Sequence, residues 1–461
     1  MIRNRVPLRR LAAVLTSLIL WTALAGLAAA APHALIRNLI SRNAQSPPTD
    51  AECRAADGGY PCYSPQEMHT AYGLNGLINS GLVGAGETIV IIDSYGSPTI
   101  ASDLSTFDAG FGLPDPPSFK VLSPLGTVPW NPALYPDQPG WAGETTLDVE
   151  WAHAMAPGAS IVLMTSPVDE TEGVQGLPQF LALEQYALDH HLGNIISQSW
   201  AATENTLFRS VAGPQGPQIV AKLEALYERA ATMRVTVLAA AGDDGTSNPE
   251  TDLVTFYQTP TVNFPASSPF VTSVGGTSLY ADTSGNYQSE AVWSDYGCCA
   301  GGGGVSQIFR APGYQRFGIP WQVHGVLGGM RGVPDVSYNA DCYNAILVYL
   351  SYFGSGSAGY YTICGTSEGS PQWAGIVADL DQYAGHPLGF LNPALYAIGG
   401  LGHFGSFGRD ITAGNNALLG VPGATAPGYS AAPGWDPASG WGTPNLAALP
   451  YRYPELFDYL H

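Results

Sequence analysis

Short apolar runs alternate with amphipathic helical segments from about Glu87 onward, and this alternation constrains the fold more than any other feature of the sequence. The first run, Thr88 to Ile92, is rich in β-branched residues and ends in an Asp-Ser-Tyr-Gly turn, which is typical of a buried strand. The elements predicted after it are a helix at Glu144–Met155, a strand at Ser160–Met164, a helix after Pro178, a strand at Asn194–Ser199, a helix around Gln218–Thr232 and a strand at Val235–Ala241. Strands separated by helices imply βαβ units. We therefore predict an α/β fold with a mainly parallel sheet that helices cover on both faces.

Two features of the chain refine this prediction. Residues 114–141 hold eight prolines and are predicted to be irregular surface. Functional sites in open parallel sheets form beyond the carboxyl ends of the strands. Functional residues are therefore expected in the segments that follow the predicted strands.

Composition and charge exclude several classes of protein. The chain has 461 residues, of which 45% are hydrophobic and 12% are charged, with a formal net charge of -20. This apolar content is enough to offset the entropy of ordering, so the chain is not disordered. Nucleic-acid binding is not expected, because phosphate recognition needs a basic face. The length is compatible with several domains or with one large α/β unit.

The N-terminus has the organisation of a secretory signal peptide, predicted at residues 1–31. Four arginines precede an apolar run from Leu11 to Leu27, and four alanines, Ala28 to Ala31, follow it. Removal of this segment moves the net charge from -20 to -24. An uncleaved anchor is the alternative. No other segment approaches the roughly 18 to 20 apolar residues that span a bilayer, so we expect a secreted protein with no membrane association after cleavage.

Six cysteines in an exported chain indicate disulfides, although the sequence alone does not fix their connectivity. Cys53 with Cys62 would close a short loop, and Cys342 with Cys364 would bracket a predicted strand pair. Cys298 and Cys299 are adjacent and the hardest to pair. No Cys-x-x-Cys or Cys/His pattern with zinc-ligand spacing is present.

The segment Gly365-Thr366-Ser367 is the first candidate for chemistry. It leads into a predicted helix whose first turn contains Pro371. The turn therefore places a serine hydroxyl at a helix N-terminus, where the partial positive charge and free N–H groups favour a developing oxyanion. For this tripeptide alone, an ordinary helix-capping serine is the alternative.

A serine nucleophile needs a base, and Glu144 and Asp148 are the second candidate. They lie four residues apart on a predicted helix and therefore share one face. A solvated acidic face is the alternative, but the neighbouring residues favour burial: Leu147, Val149, Trp151, Ala152 and Ala154. Two buried carboxyls this close are costly unless they share a proton, and a shared proton is useful in catalysis.

Asp243 is the third candidate. It follows the strand predicted at Val235–Ala241, so it belongs at the carboxyl end of the sheet. A protonated carboxyl group at this position would donate a hydrogen bond to an oxyanion, and it would do so best at acid pH. A simple turn aspartate before Gly245 is the alternative.

Together these residues resemble the sedolisin family, the serine-carboxyl peptidases, over about Pro61 to Asn445. The matching segments, in chain order, are Gly143-Glu144, Leu147 to His153, Ala156-Pro157, Ser197 to Trp200, Gly242-Asp243, Phe264 to Pro269, Val274 to Thr277, Pro334 to Ser337 and Gly365 to Ser367. Each segment alone is weak evidence, but their combination in this order is specific. The resemblance implies a subtilisin-like sheet and a peptidase domain at residues 71–461, preceded by an N-terminal extension at residues 32–70.

The resemblance also implies a role for each candidate. Ser367 would be the nucleophile, Glu144 the general base, Asp148 its orienting partner and Asp243 the oxyanion-hole acid. A glutamate base works at low pH, where a histidine would be protonated. We therefore expect an acid-acting, monomeric peptidase with polypeptide substrates. The alternatives are a Ser-His-Asp peptidase of the subtilisin type and an inactive secreted binding protein on the same scaffold.

One structural calcium ion is a further implication of the resemblance. The segments around Asp410 and Asp436 match the family's metal segment, in which these two carboxylates and the backbone carbonyls of Ile411, Ala432 and Gly434 would bind the ion with water. Calcium prefers six to eight oxygen ligands. Ala432 stands where the family tends to have glycine, and two ordinary turn aspartates are the alternative.

Three other features receive structural interpretations. Asp93 follows a strand but lacks a paired histidine motif, so it is assigned a structural role. His153 is interpreted as a packed helix histidine. The run Gly301 to Gly304 is interpreted as flexible or substrate-lining backbone and not as a phosphate loop, because no lysine follows it.

Overall fold

An eight-stranded, mainly parallel sheet forms the centre of the protein. This computed structural model describes residues 34–43, 46–208 and 215–448; the predicted signal peptide and the alternative anchor lie outside these residues. Within them the strands are β1 Leu35–Ser41, β2 Cys62–Tyr63, β3 Thr88–Ser94, β4 Phe119–Leu122, β5 Ser160–Ser166, β6 Ile195–Gln198, β7 Ala202–Thr203, β8 Thr236–Ala240, β9 Asn263–Phe264, β10 Thr272–Ala281, β11 Tyr287–Val292, β12 Ser294–Asp295, β13 Cys299–Ala300, β14 Gly304–Arg310, β15 Met330–Val333, β16 Val336–Asn339, β17 Ala345–Leu350, β18 Gly359–Cys364, β19 Gly408–Arg409 and β20 Thr443–Pro444.

Helices of very different length connect these strands. The α-helices are α1 Asp50–Ala56, α2 Pro65–Tyr72, α3 Asn75–Asn79, α4 Ile100–Phe111, α5 Gln138–Met155, α6 Leu177–Asp189, α7 Glu204–Phe208, α8 Gln215–Thr232, α9 Gly313–Gly318, α10 His324–Leu327, α11 Gly369–Ala384 and α12 Asn392–Gly400. Single 3₁₀ turns occur at Trp321–Val323, Thr366–Glu368, Phe404–Ser406 and Leu446–Ala448.

The strand order confirms the predicted α/β architecture. The main sheet runs β11-β10-β8-β6-β3-β5-β4, with β16 pairing β10. Its pairs are parallel, except that β11 runs antiparallel to β10. β3 lies at the centre, between β5 and β6, in register from Ile89 to Ile92.

The central strand shows why both faces of the sheet must be covered. Ile89 and Ile91 pack into one hydrophobic cluster, whereas Val90 and Ile92 pack into a second. All four side chains are fully buried. Successive residues of a strand point to opposite faces, so an unbroken apolar run is buried only when both faces carry other elements.

Helix α5 passes through the first of these clusters. Every residue from Trp141 to Met155 is buried, as expected for a helix that is surrounded by protein. Helix α11 crosses it closely, because Gly375 leaves no room for a side chain: an added Cβ would lie 2.5 Å from the Cβ of Met155. This close crossing brings the start of α11 next to the carboxyl groups of α5.

A second sheet of four strands lies beside the main one, in the order β1-β18-β17-β2. β18 is antiparallel to both β1 and β17. Cys53 is bonded to Cys62, a pairing that the sequence left open. The hypothesis of a bond between Cys342 and Cys364 is confirmed, and this disulfide joins the end of β18 to the loop before β17.

Two sequence expectations need correction. Residues 114–141 contain strand β4, which pairs with β5 at the edge of the main sheet, and the start of α5. Cys298 and Cys299 are bonded to each other, contrary to the expectation that adjacent cysteines are the hardest to pair. Their sulfurs and that of Cys342 lie within 4.8 Å of one another, but all three belong to disulfides.

Within the described residues, no helix combines the length and the apolar character that crossing a membrane requires.

Candidate active site

Ser367 lies in a tight turn between β18 and α11. β18 ends at Cys364, the turn Thr366–Glu368 follows, and α11 begins at Gly369. Gly365 has a φ of +127°, which L side chains rarely adopt, and an added Cβ there would lie 2.5 Å from Oδ2 of Asp243. Glycine is therefore required at this position. The turn holds Ser367 at the N-terminal end of a long helix, where partial positive charge favours an oxyanion.

Glu144 and Asp148 project from α5 toward this turn, and both are completely buried. The hydroxyl of Ser367 lies close enough to the Glu144 carboxyl group to lower the pKa of that group. The hydroxyl of Ser199, just after β6, donates to Oδ1 of Asp148 at 2.9 Å. Burial raises the pKa of Glu144 and that of Asp148 well above their ordinary values, and the Ser367 hydroxyl only partly offsets this for Glu144. The structure therefore brings the predicted nucleophile, base and orienting carboxyl together.

Asp93 is a third member of this carboxyl cluster, which the sequence interpretation missed. It ends β3, is fully buried, and burial raises its pKa to about 7 despite a nearby hydroxyl from Thr145. Its negative charge raises the pKa of Glu144 and that of Asp148 in turn. The three carboxyl groups therefore lie close enough to influence one another's titration, so Asp93 belongs to the surroundings of the candidate base.

Asp243 faces the same turn from the loop after β8. Its Oδ1 accepts hydrogen bonds from the backbone N–H of Thr366 at 2.7 Å and from the Thr366 hydroxyl at 2.8 Å. These bonds fix the orientation of the carboxyl group and leave Oδ2 beside Gly365. Burial raises the pKa of Asp243 to about 6, because the two hydrogen bonds only partly stabilise the carboxylate. The side chain thus keeps a proton in weakly acidic solution.

The glycine run at residues 301–304 supports this loop. The N–H of Gly302 donates to the carbonyl of Gly242 at 2.7 Å, and the N–H of Ala300 donates to the carbonyl of Asp243 at the same distance. A side chain at Gly302 would collide with the backbone of Ala241. The run therefore allows two backbones to approach closely.

No described histidine is hydrogen-bonded to Ser367. His153 shares α5 with Glu144, but its Nε2 lies 2.8 Å from the carbonyl oxygen of Pro114 and 3.4 Å from the carboxylate of Asp108. Its side chain is fully buried, which confirms its interpretation as a packed residue. The Glu144 carboxyl group is thus a neighbour of the Ser367 hydroxyl, whereas the described residues show no hydrogen bond from Ser367 to a histidine, which the subtilisin-type alternative would need.

The residues of the candidate calcium site occupy two loops that are joined by hydrogen bonds. The N–H of Gly434 donates to Oδ2 of Asp410 across the two loops at 2.8 Å, and the N–H of Ala432 donates to Oδ2 of Asp436 within one loop at 2.8 Å. Burial raises the pKa of Asp410, and it raises that of Asp436 to about 6. Two partly desolvated carboxyl groups beside the carbonyl of Ile411 form an oxygen-only set, which fits the chemistry of calcium.

A serine beside a buried carboxyl pair, on a mainly parallel α/β sheet, defines the serine-carboxyl class of proteins. The chain is 34% identical over 371 residues to kumamolisin of Bacillus sp. (strain MN-32), a match that covers 80% of this chain and 60% of the relative. It is 29% identical over 395 residues to sedolisin of Pseudomonas sp. (strain 101), which covers 84% and 60% respectively. Human tripeptidyl-peptidase 1 matches at 31% over 328 residues, covering 67% and 52%. No protein-family model matches the chain.

A solved structure agrees with these relatives. Pseudomonas sedolisin, a serine-carboxyl proteinase complexed with two molecules of pseudo-iodotyrostatin, superposes with a TM-score of 0.68 at 26% identity, and the match covers 85% of this chain and 98% of that one. The chain belongs to the sedolisin family, and its fold is subtilisin-like. It spans 60% of the length of the two bacterial relatives.

Proposed function

We propose that this protein is a secreted, monomeric, acid-acting serine-carboxyl peptidase that hydrolyses peptide bonds in polypeptides. The observation that supports this proposal most strongly is the proximity of the Ser367 hydroxyl to the buried carboxyl group of Glu144, together with the two hydrogen bonds that join Asp243 to Thr366 in the same turn. Groups with the chemistry needed for acyl transfer through a serine thus lie near the Ser367 turn. Their presence argues against an inactive scaffold.

The reaction follows from these positions. Oγ of Ser367 attacks the carbonyl carbon of the scissile bond while its proton passes to Glu144. The protonated carboxyl group of Asp243 donates a hydrogen bond to the oxyanion. Glu144 then gives the proton to the nitrogen of the leaving amine, and the C–N bond breaks to leave an ester on Ser367. Water, deprotonated by Glu144, hydrolyses the ester and restores the serine.

The acid optimum has a physical cause in the same groups. Glu144 is a base only when the carboxyl cluster has lost a proton, and Asp243 donates only while it keeps its own. Asp243 has a pKa of about 6, so donation to the oxyanion fails as the pH rises above that value. Asp148 and Asp93 hold the remaining protons of the cluster and so orient and tune Glu144.

One structural calcium ion belongs to this proposal. Asp410 and Asp436 would bind it through carboxylate oxygens, and Ile411, Ala432 and Gly434 through backbone carbonyls, with water completing the set. The ion would neutralise two partly buried carboxylates and hold the two loops together. It would take no part in the bond cleavage.

A comparison of two glutamates on α5 tests the assignment of the base. Glu144→Gln keeps the size of the side chain but removes the base, so we expect kcat/KM on an unfolded protein substrate to fall by about 10² to 10⁴. Glu150→Gln is the matched control, because Glu150 is equally buried on the same helix but accepts from the N–H of Tyr349 at 3.0 Å, away from Ser367. Turnover near that of the wild type in Glu144→Gln would refute the role of Glu144.

A further inference from the structure

Four of the six cysteines form two disulfides that lie against each other. Cys298 is bonded to its neighbour Cys299, and Cys342 is bonded to Cys364. The sulfur of Cys299 lies 3.9 Å from that of Cys342. All four residues belong to one small hydrophobic cluster, in which Cys298 is a peripheral member. A sulfur of the first disulfide therefore faces a sulfur of the second with no group between them.

The two disulfides differ in their access to solvent. Cys298 is partly exposed, whereas Cys299, Cys342 and Cys364 are buried. A thiol in solution therefore reaches Cys298 before the other three sulfurs, and exposed disulfides are the labile ones in thiol exchange. The bond between adjacent residues also closes almost no loop, so it contributes little of the chain-entropy stabilisation that a structural disulfide supplies.

Each disulfide is attached to one part of the candidate active site. Cys364 ends β18 and stands three residues before Ser367. Cys299 directly precedes Ala300, whose N–H donates to the carbonyl of Asp243 at 2.7 Å. The bond at Cys364 thus restrains the turn that carries the candidate nucleophile, and the bond at Cys299 lies beside the loop of the candidate oxyanion donor.

We propose that Cys298 is a site of S-thiolation by low-molecular-weight thiols, and that its modification transfers a disulfide bond from Cys364 to Cys299. In the first step a thiolate attacks the sulfur of Cys298, forms a mixed disulfide with it and releases the Cys299 thiolate. In the second step the Cys299 thiolate attacks the sulfur of Cys342. The bond between Cys299 and Cys342 forms, and Cys364 leaves as a thiolate that takes a proton from water.

The exchange needs no separate oxidant or reductant, because one thiolate is consumed and one is produced. Only a thiolate attacks a disulfide, and an ordinary cysteine thiol has a pKa of about 8.5. The pairing is therefore set in neutral or alkaline solution and is retained in acid. After the transfer the turn of Ser367 has lost its cross-link, so the nucleophile is held less firmly. This effect on activity rests on the proposed function, whereas the exchange itself does not.

Disulfide mapping tests the exchange without reference to activity. The full-length Ser367→Ala variant, which lacks the candidate nucleophile and so is protected from self-digestion, is incubated with reduced glutathione at about pH 8, where thiolates form. It is then acidified, alkylated and mapped without reduction. We expect glutathione on Cys298, a bond between Cys299 and Cys342, and an alkylated Cys364. Glutathione on Cys298 with the bond between Cys342 and Cys364 intact would refute the transfer, and an unmodified Cys298 would refute the site.

A double variant, Cys298→Ser with Cys299→Ser, is the control for the route and is made in the same background. Without the intervening thiol, the bond between Cys342 and Cys364 should stay closed in the same glutathione solution, because both of these residues are buried. If this bond opens to the same extent with and without the two serines, glutathione attacks it directly and the proposed transfer is wrong.

Initial rates test the effect on the nucleophile. The chain with Ser367 intact is treated with glutathione at about pH 8 and then assayed on a fluorogenic peptide at acid pH. We expect the rate to fall by about tenfold, because small displacements of a catalytic group are costly. Removal of the glutathione in neutral solution reverses both steps, so the rate should recover. The variant with both serines should keep its untreated rate.

The outcomes separate this inference from the proposed function. A transferred bond with an unchanged rate would overturn the link between the disulfide and the Ser367 turn and leave the peptidase assignment intact. Cleavage by the untreated protein no greater than that of Ser367→Ala would overturn the proposed function and with it the effect on activity, whereas the mapping decides the exchange in either case.

Discussion

Replacement of Asp243 by asparagine separates its role as a hydrogen-bond donor from its ability to titrate. Oδ1 of Asp243 accepts two hydrogen bonds from Thr366, and the amide oxygen introduced by Asp243→Asn can accept both. The amide nitrogen then takes the place of Oδ2, next to Gly365. The variant therefore keeps a donor aimed at the oxyanion, and this donor is present at every pH.

The size of the effect follows from the pKa of Asp243, which is about 6. Above this value the protonated fraction falls about tenfold for each pH unit, so at about pH 7 roughly a tenth of the wild-type molecules retain the donor, a loss equivalent to about 1.4 kcal/mol. In Asp243→Asn we expect no such loss of the donor as the pH rises, because the amide group does not titrate. Asp243→Ala, which lacks any donor, should lose about 10² to 10³ in kcat at every pH.

The assay is kcat/KM on a fluorogenic peptide from about pH 3 to about pH 8, where carboxyl groups titrate. Asp243→Asn should extend the activity to higher pH, and Asp244→Asn should keep the wild-type profile. Asp244 is a suitable control because it is the neighbouring carboxyl group in the same loop, whereas both hydrogen bonds from Thr366 go to Asp243. An Asp243→Asn variant with the alkaline limb of the wild type would refute the assignment of Asp243 as the oxyanion donor.

Two further predictions concern stability. Burial raises the pKa of Asp93 and that of Glu172 to about 7, and that of Glu184 to about 8. The folded state thus binds more protons than the unfolded one. The contribution of these groups to the free energy of unfolding is fully present below about pH 4 and is lost as the pH rises through 6 to 8. A thermal midpoint that increases from pH 5 to pH 8 would contradict this. A chelator should lower the thermal midpoint of the wild type, because an ion that binds the folded state stabilises it and the chelator takes this ion away. This response should disappear in Asp436→Asn. Asp282→Asn, at an exposed turn aspartate, should respond to the chelator like the wild type.

The strands and helices that were predictable have strong local patterns. The run from Thr88 to Ile92 forms β3, and the helix predicted from Glu144 ends at Met155 as expected, although it begins earlier, at Gln138. Protein surrounds both elements, and their largely apolar sequences therefore indicate that they are buried. β4 was missed because its four residues, Phe119–Leu122, are flanked by prolines and two of them are exposed, which leaves no clear alternation.

The candidate site likewise contains residues that were predictable from the sequence and residues that were not. Ser367, Glu144 and Asp243 each follow or belong to an element with a clear pattern, and the matched segments around them gave their roles. The place of Asp93 depends on the packing of β3 against α5, which no local pattern reports. The contact between Ala34 and Glu144 joins residues that are 110 positions apart, and the pairing of Leu35 with Cys364 spans a still longer separation.

The central claim is that Ser367 cleaves peptide bonds with carboxyl groups as its acid and base. The most direct measurement is cleavage of an unfolded protein by the purified wild type and by Ser367→Ala, scanned from about pH 3 to about pH 8, the range that separates carboxyl from imidazole bases. We predict activity with an optimum on the acid side of pH 6 that is lost in Ser367→Ala. An optimum at neutral or alkaline pH, or activity that survives in Ser367→Ala, would contradict this account.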